Sequence, residues 1–396
     1  MKLTLFEIHF GNTNAVFPAG QAVCGNVVVK LIKPMKMRSI TIMFEGRGKS
    51  YWEVRSGRNT TKYRANETYI TKVVPLYGPY SEGTVHPEGY HVYPFSVQLP
   101  ATVPSSFEGR RGYVRYFCKA TIDRPWKFDS HAKRAFTVIR PLNLNEILDP
   151  NPVPVVLQCE EAIEGCCCDN GSVVAELSLN KMGYVPGEPL IYTIKIDNKS
   201  ETEIKEISLE LRQVVTYTGF SNSLFSSGNP RYHVKVDKFH LFNGHCTIKK
   251  SQSQEIQRAT LIPSLPPSRL DGCGIIEITY IVELRIPCGW STVNMEKEIL
   301  IGTVPLQGMG VVSPIVSAES PVPSAPPEMT RFMDAPPSYE ECIFGKVQIR
   351  DDDDDEHTTG QLAWAPAYPY YSQHSDVMYG GAPPSIAQLE PPAYNE

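Results

Sequence analysis

The chain has 396 residues, of which 41% are apolar and 20% charged, and a net charge of −5. Since domains run to about 100 to 200 residues, this length implies two or three cores, and the composition is that of a chain able to bury them. The mild charge and the short basic clusters, Lys33, Lys36 and Arg38 or Arg110, Arg111 and Arg115, exclude the basic stripe with interleaved aromatics that marks a nucleic-acid binder. No apolar run reaches the roughly 18 residues needed for a membrane-spanning helix.

The first residues, MKLTLFEIHF, are interrupted by Glu7 and His9 and read as an alternating strand rather than a secretory leader. Further alternating runs follow through the first 300 residues, among them VVVKLI, ITIMFEG, IYTIKI and ISLELRQ, broken by prolines and glycines. This is the pattern of an all-β sandwich protein. EILDP and the piece around Ser105 to Gly109 are expected to form single helical turns. Ten cysteines without a leader are expected to be reduced thiols in the cytosol, with the sequons at Asn59, Asn66 and Asn198 unglycosylated.

A shift of 167 positions lays PAGQAVCGNVVVKLIKPMKMRSITIMFEG over VPGEPLIYTIKIDNKSETEIKEISLELRQ without a gap. Val23 falls on Leu190, Val27 on Ile194, Val29 on Ile196, Met37 on Ile204, Ile40 on Ile207, Ile42 on Leu209 and Phe44 on Leu211, and Gly20 falls on Gly187. In strands of period 2 such a match preserves the buried face and the turn together. Two homologous sandwiches are therefore expected, over 1–147 and 173–303, with a connector over 148–172. LPATVPSSFEG and IPSLPPSRLDG, near their ends, also resemble each other.

VFPAGQAVCGNVVV, HPEGYHVYPFSVQLP, PSSFEGRRGYVRYFCKATIDRPW and CCCDNGSVVAELSLNKMGYVPGEPLIYTIKIDN resemble the alpha-arrestins, the arrestin domain-containing proteins, across nearly all of residues 1–303. The resemblance implies two tandem arrestin-type, immunoglobulin-like β-sandwiches followed by an unstructured tail with PPxY motifs. Its implied partners are HECT-type ubiquitin ligases with several WW domains, and cytoplasmic segments of membrane receptors or transporters. It also implies peripheral association with the plasma membrane and endosomes. The first strand, KLTLFEIHF, offers only Lys2 where the visual and beta-arrestin branch carries a phosphate-sensing lysine pair, so the alpha branch fits better.

Beyond residue 304 the composition changes: 14 of the 34 prolines lie in the last 93 residues, together with the run DDDDDE. A disordered tail over 304–396 is expected, with Asp351 to Glu356 as a solvated spacer. Pro336-Pro337-Ser338-Tyr339 and Pro391-Pro392-Ala393-Tyr394 both fit the WW-domain ligand. Proline fixes φ, so the pair is already near polyproline II, and the tyrosine two residues on enters a neighbouring pocket. On the tail's own composition roughly 0.1 such matches are expected by chance, which makes two a signal.

Three sharper chemistries are weaker. Cys166, Cys167 and Cys168, with Cys159 nearby, lack the spaced pairs of a structural zinc site; metal-bound and palmitoylated readings stay open beside the favoured one, a buried or merely reduced connector. In one alpha-arrestin relative, the thioredoxin-interacting protein, a redox-active cysteine lies where Cys246 stands here. Beside His245, Lys249 and Lys250, Cys246 is expected to have a lowered thiol pKa, which sets up an alternative function, a redox-linked regulator of a thioredoxin-like protein. A trafficking scaffold independent of any ligase is another. The sequence has no nucleophile elbow or phosphate loop, His86 and His91 read as parts of a structured turn, and neither an enzyme nor a cofactor nor a metal is expected.

Overall fold

The computed structural model describes residues 2–149, 151–164, 169–221, 229–306, 345–351, 354–371 and 377–379. The first body comprises β1 (Leu3–Phe10), β2 (Val16–Pro18), β3 (Ala22–Leu31), β4 (Met35–Met37), β5 (Ser39–Ser56), β6 (Asn59–Tyr77), β7 (Thr84–His86), β8 (Gly89–Gln98), β9 (Phe107–Gly109), β10 (Gly112–Asp123) and β11 (Ser130–Ile139). One helical turn, α1 (Leu144–Ile147), follows, capped by the Asn143 side chain. The second body comprises β12 (Val155–Glu164), β13 (Asp169–Leu179), β14 (Gly183–Tyr184), β15 (Pro189–Asn198), β16 (Ile204–Ser221), β17 (Arg231–Ile248), β18 (Gln252–Leu261), β19 (Ile276–Cys288) and β20 (Ser291–Ile301). The described tail holds β21 (Val347–Gln348), β22 (Thr358–Gln361), β23 (Ala363–Trp364), β24 (Pro369–Tyr371) and β25 (Val377–Tyr379).

Alternation along the strands generates two cores. In the first body the sheet β1-β3-β8 faces β6-β5-β10-β11, and aromatic rings close the gap: Phe44 meets Phe95 at 5.5 Å and Phe10 meets Phe136 at 5.6 Å, both edge-on. In the second, β12-β13-β15-β18 faces β20-β19-β16-β17, and Tyr192 on β15 donates across the gap to the Leu241 carbonyl of β17 at 3.2 Å. All seven aligned apolar pairs of the repeat are buried. Gly20 and Gly187 sit at φ +81° and +87°, the left-handed region a glycine enters freely.

The repeat extends to polar detail. Tyr116 donates to the Pro104 carbonyl at 2.7 Å and Tyr280 to the Pro266 carbonyl at 2.8 Å. Ser106 Oγ accepts from Val138 N at 2.9 Å, and Ser268 Oγ accepts from Ile301 N at 2.8 Å. These bonds account for the likeness of LPATVPSSFEG and IPSLPPSRLDG: each proline-serine stretch supplies a carbonyl for a buried phenol and a hydroxyl for an edge amide.

The two bodies share a sheet. β16 pairs with β6 through Phe220↔Arg64 and Ser221↔Tyr63, which joins both back sheets into one of 12 strands. Tyr69 on β6 adds a contact at 3.1 Å to Cys273 Sγ, and the Glu67 carboxylate accepts from Gly274 N at 3.0 Å. On the far side Leu142 N donates to Thr303 Oγ1 at 2.7 Å.

Two expectations change. Residues 155–164, assigned to the connector, form β12, whose partner β13 already begins at Asp169; Val155, Leu157, Cys159 and Ile163 alternate, and their acidic neighbours disguise that pattern. The piece around Ser105 to Gly109 is not helical, because Phe107–Gly109 pairs with β10 as β9.

Ile42 and Leu209 occupy equivalent, fully buried positions of the two repeats. Truncating either to alanine should lower stability by about 3 kcal/mol, through lost burial plus a cavity, and urea unfolding of the full chain should show similar losses for Ile42→Ala and Leu209→Ala.

Candidate functional site

On the outer face of the first body, neighbouring strands bring three cations together: Arg47 on β5, Lys119 on β10 and Lys133 on β11. Lys119 and Lys133 stand directly opposite each other in the β10–β11 register, an arrangement that repels unless an anion lies between them. Phe117 forms the floor, with the Lys133 ammonium 4.2 Å and the Arg47 guanidinium 5.4 Å from its ring centre. Only 1% of the Lys133 side chain is exposed.

The anion comes from the chain's own tail. Lys133 Nζ donates to Asp351 Oδ2 and to Asp354 Oδ2, each at 2.6 Å, and Lys119 Nζ reaches Asp354 Oδ1 at 2.9 Å. Arg47 pairs with Asp351 and also with Glu45. The aspartates are themselves set by a turn, in which Asp354 N donates to the Asp351 carbonyl and Asp351 N to Asp354 Oδ2, both at 3.0 Å. Burial pushes the Asp354 carboxyl up, but the hydrogen bonds from Lys133 and Lys119 outweigh it and hold the group below the ordinary carboxylate value. The expected solvated spacer is thus corrected: Asp351 and Asp354 are anchors, because a buried ammonium requires a carboxylate partner.

The rest of the described tail forms a strap. β21 pairs with β23, and Ile349 and Trp364 cover Phe117 and Ala135. β22 adds in parallel to β11 from His131↔Thr358 to Arg134↔Gln361. Farther on, Tyr368 is fully buried against Val16 and Ile139, and its hydroxyl donates to the Ser106 carbonyl at 3.0 Å. Tyr371 then reaches the second body, where its amide donates to the Pro186 carbonyl at 2.9 Å and its hydroxyl to the Thr303 carbonyl at 2.6 Å. A Cβ on Gly187 would come within 2.2 Å of the Tyr371 carbonyl oxygen, so this turn glycine also makes room for the strap. A groove of about 690 Å³ remains between β1 and β22.

Of the residues singled out from sequence, Pro336, Pro337, Tyr339, Pro391, Pro392 and Tyr394, and also Cys166 to Cys168, lie outside the described residues. Cys246 is half-buried against the second core, and burial pushes its thiol up, the opposite of the activation expected from its basic neighbours. His86 and His91 pack edge-on at 4.2 Å, and His86 also bonds the Tyr93 hydroxyl. Among the described residues no group of three or more His, Cys, Asp or Glu side chains could hold a metal, and no helix is long and apolar enough to cross a membrane.

Twin sandwiches sharing one sheet define the class. Residues 6–145 match the family described as "Arrestin (or S-antigen), N-terminal domain" and residues 169–306 its C-terminal counterpart. The chain belongs to the arrestin domain-containing proteins. It is 31% identical over 363 residues to arrestin domain-containing protein 17 of Caenorhabditis elegans, covering 89% of this chain and 82% of that one. It is 28% identical over 339 residues to arrestin domain-containing protein 1 of Homo sapiens, covering 83% and 72%. With arrestin domain-containing protein 4 of Mus musculus the identity is 25% over 347 residues, covering 83% and 79%.

The depressed Asp354 carboxyl sets the pH response of the strap. A carboxylate held below its ordinary value of 3.8 contributes fully to docking above that value, and the contribution is lost as pH falls through the lower, docked one. The strap should stay seated at neutral pH and leave in acid below about pH 4. The measurement is the emission of Trp364, taken as the difference from the Trp364→Phe chain, which should shift to the red only in acid.

Proposed function

We propose that the protein is an adaptor. Its paired arrestin domains contact the cytoplasmic segment of a membrane receptor or transporter, and its tail brings a WW-domain HECT ubiquitin ligase to that cargo, which is then ubiquitinated and sorted through endosomes. The observation that carries this reading is the occurrence of two PPxY motifs, Pro336-Pro337-Ser338-Tyr339 and Pro391-Pro392-Ala393-Tyr394, in the tail of a two-domain arrestin-family chain. The adaptor works from the cytoplasm, peripherally at the plasma membrane and endosomes, and uses no cofactor.

Each motif contributes two proline rings for an aromatic groove and a tyrosine for the adjoining pocket. The redox alternative loses support because the Cys246 thiol is pushed up rather than down. The ligase-independent scaffold differs from the adaptor in one respect, that it does not need the motifs.

A buried aromatic anchor is worth about 2 kcal/mol or more, so Tyr339→Ala or Tyr394→Ala should weaken a single WW contact by about 30-fold. Capture of a multi-WW ligase should be lost in the double variant; undiminished capture would refute the adaptor and leave the scaffold.

A further inference from the structure

Three strand-end loops meet at one end of the first body. Arg38 donates from its amide to the Asp123 carbonyl at 2.8 Å and from its guanidinium to the Asp123 carboxylate at 2.6 Å, while Tyr80 N donates to the Arg38 carbonyl at 2.9 Å. Lys36 stands opposite Val85 in the β4–β7 ladder, and a Cβ on Gly83 would come within 3.2 Å of the Pro125 ring and 3.4 Å of the Lys36 side chain. Lys2 reaches the same end, where its Nζ donates to the Pro34 carbonyl at 2.7 Å.

Apolar side chains project from this end instead of covering it. Trp126 is wholly exposed and Phe128 77% exposed, and Ile32 and Val85 are exposed beside them. Tryptophan is on average a well-covered residue, and Trp126 also sits at φ +61°, in the left-handed region that a bulky residue seldom enters. The loop holds that pose: Asp129 Oδ1 accepts from Arg124 N at 3.1 Å, and the Phe128 ring lies 5.3 Å from that of His357 on the strap. Lys33, Lys36 and Lys127 are exposed between the apolar tips. Of the loop carboxylates, Asp123 and Asp129 are half-buried, and the strap adds Asp355 and Glu356 near Phe128. The cationic excess is therefore modest and lies with the lysines at the tips.

We infer that this end of the first body is an interfacial membrane contact, in which Trp126, Phe128, Ile32 and Val85 enter the headgroup layer of a lipid surface and the three lysines favour an anionic one. This deepens the peripheral-membrane part of the reading above and rests on that part alone, not on the ligase motifs. Interleaving decides the occupant. The core of a protein interface gathers aromatic side chains into one desolvated patch depleted of charge. Here every apolar tip has a lysine beside it: Lys33 after Ile32, Lys36 opposite Val85, and Lys127 between Trp126 and Phe128. A lysine stem lies along apolar surface while its ammonium stays in water, so the two kinds of side chain share a layer where the medium is apolar below and anionic above. A groove of about 660 Å³ beside Trp126 is lined also by Arg124 and Lys127. Arg124 Nε is shielded from water and has no hydrogen-bond partner among the described residues; a headgroup phosphate would supply a charged acceptor beside it.

Binding of the full-length chain is measured by sedimentation with vesicles of phosphatidylcholine, alone or with about one third phosphatidylserine. The parent chain should bind, and more tightly to the anionic vesicles. Trp126→Ala with Phe128→Ala should weaken binding to both kinds by about tenfold. Lys33→Gln with Lys127→Gln should weaken binding to the anionic vesicles by about tenfold and leave the neutral ones within about twofold. Trp290→Ala, which removes an equally exposed indole from the β19–β20 turn of the second body, should bind as the parent does. All of these side chains are exposed, so the urea midpoint of every variant should match the parent. Undiminished binding by the aromatic variant, or an equal loss in Trp290→Ala, overturns the assignment to this end and leaves the peripheral reading standing. A parent chain that binds neither kind of vesicle overturns both and leaves the exposed tips to a protein partner.

Discussion

An ammonium group shielded from water has to be neutralised where it sits, and Lys133 imposes that condition on the whole tail. It faces Lys119 across the ladder and lies over the Phe117 ring; Glu45 on the same sheet face pairs with Arg47, and the carboxylates that reach Lys133 are those of the tail. The nearest carboxylates come from more than two hundred positions later in the chain. Once Asp351 and Asp354 occupy the site, the hydrophobic contacts of Ile349 and Trp364 and the parallel pairing of β22 follow at little further entropic cost, because the loop is already closed. The electrostatic anchor therefore comes first in the logic of the strap, and the apolar cover consolidates it.

The strap has a firm base because the sandwiches are not independent beads. The β6–β16 pairing makes their back sheets continuous, and the strap closes a second connection through Tyr368 and Tyr371 at the opposite seam. At that same seam lies the α1 region, where Leu144 packs with Val185 and Leu300 and Tyr371 packs against them. The two bodies are thus tied by the β6–β16 pairing on one side and, on the other, by the Asn143–Val304 backbone bridge together with side-chain docking. Of these ties, the one made by the tail lacks covalent neighbours in either core, and so is the one that can be undone without unfolding a sandwich.

What the sequence disclosed follows from how strands encode burial. Seven aligned apolar pairs and two turn glycines were readable because a period of 2 fixes which side chains face inward, and left-handed turns favour one residue type. β12 was hidden by Glu160 and Glu161: Glu160 lies on its exposed face, while Glu161 interrupts the apolar alternation between Cys159 and Ile163. Cys246 was misjudged because sequence neighbours are not spatial ones: His245 points to the opposite face of β17, and Lys250 pairs with Glu201. The carboxylate site could not be read at all, since Arg47, Lys119 and Lys133 are gathered only by strand register. The six motif residues remain a reading of sequence, resting on local chemistry rather than on a folded frame.

The strap left one trace in the sequence that an average over the whole tail conceals. Its prolines are not spread evenly: none occurs between Pro337 and Pro366, while Val347, Ile349, Leu362 and Trp364 all fall in that gap. Backbone donors explain the gap. Seating uses the amides of Ile349 to the Leu362 carbonyl, Asp354 to the Asp351 carbonyl, Thr358 to the Asp355 carbonyl and His357 to the Asp355 side chain, and a proline at any of these positions would remove the donor. The WW recognition proposed for the flanking motifs makes the opposite demand, because it uses chain already stiffened by proline and asks nothing of those amides. Two modes of recognition with incompatible backbone chemistry can share one tail only by taking separate stretches of it. On the proposed function, that is why the PPxY motifs flank the strap rather than lie within it.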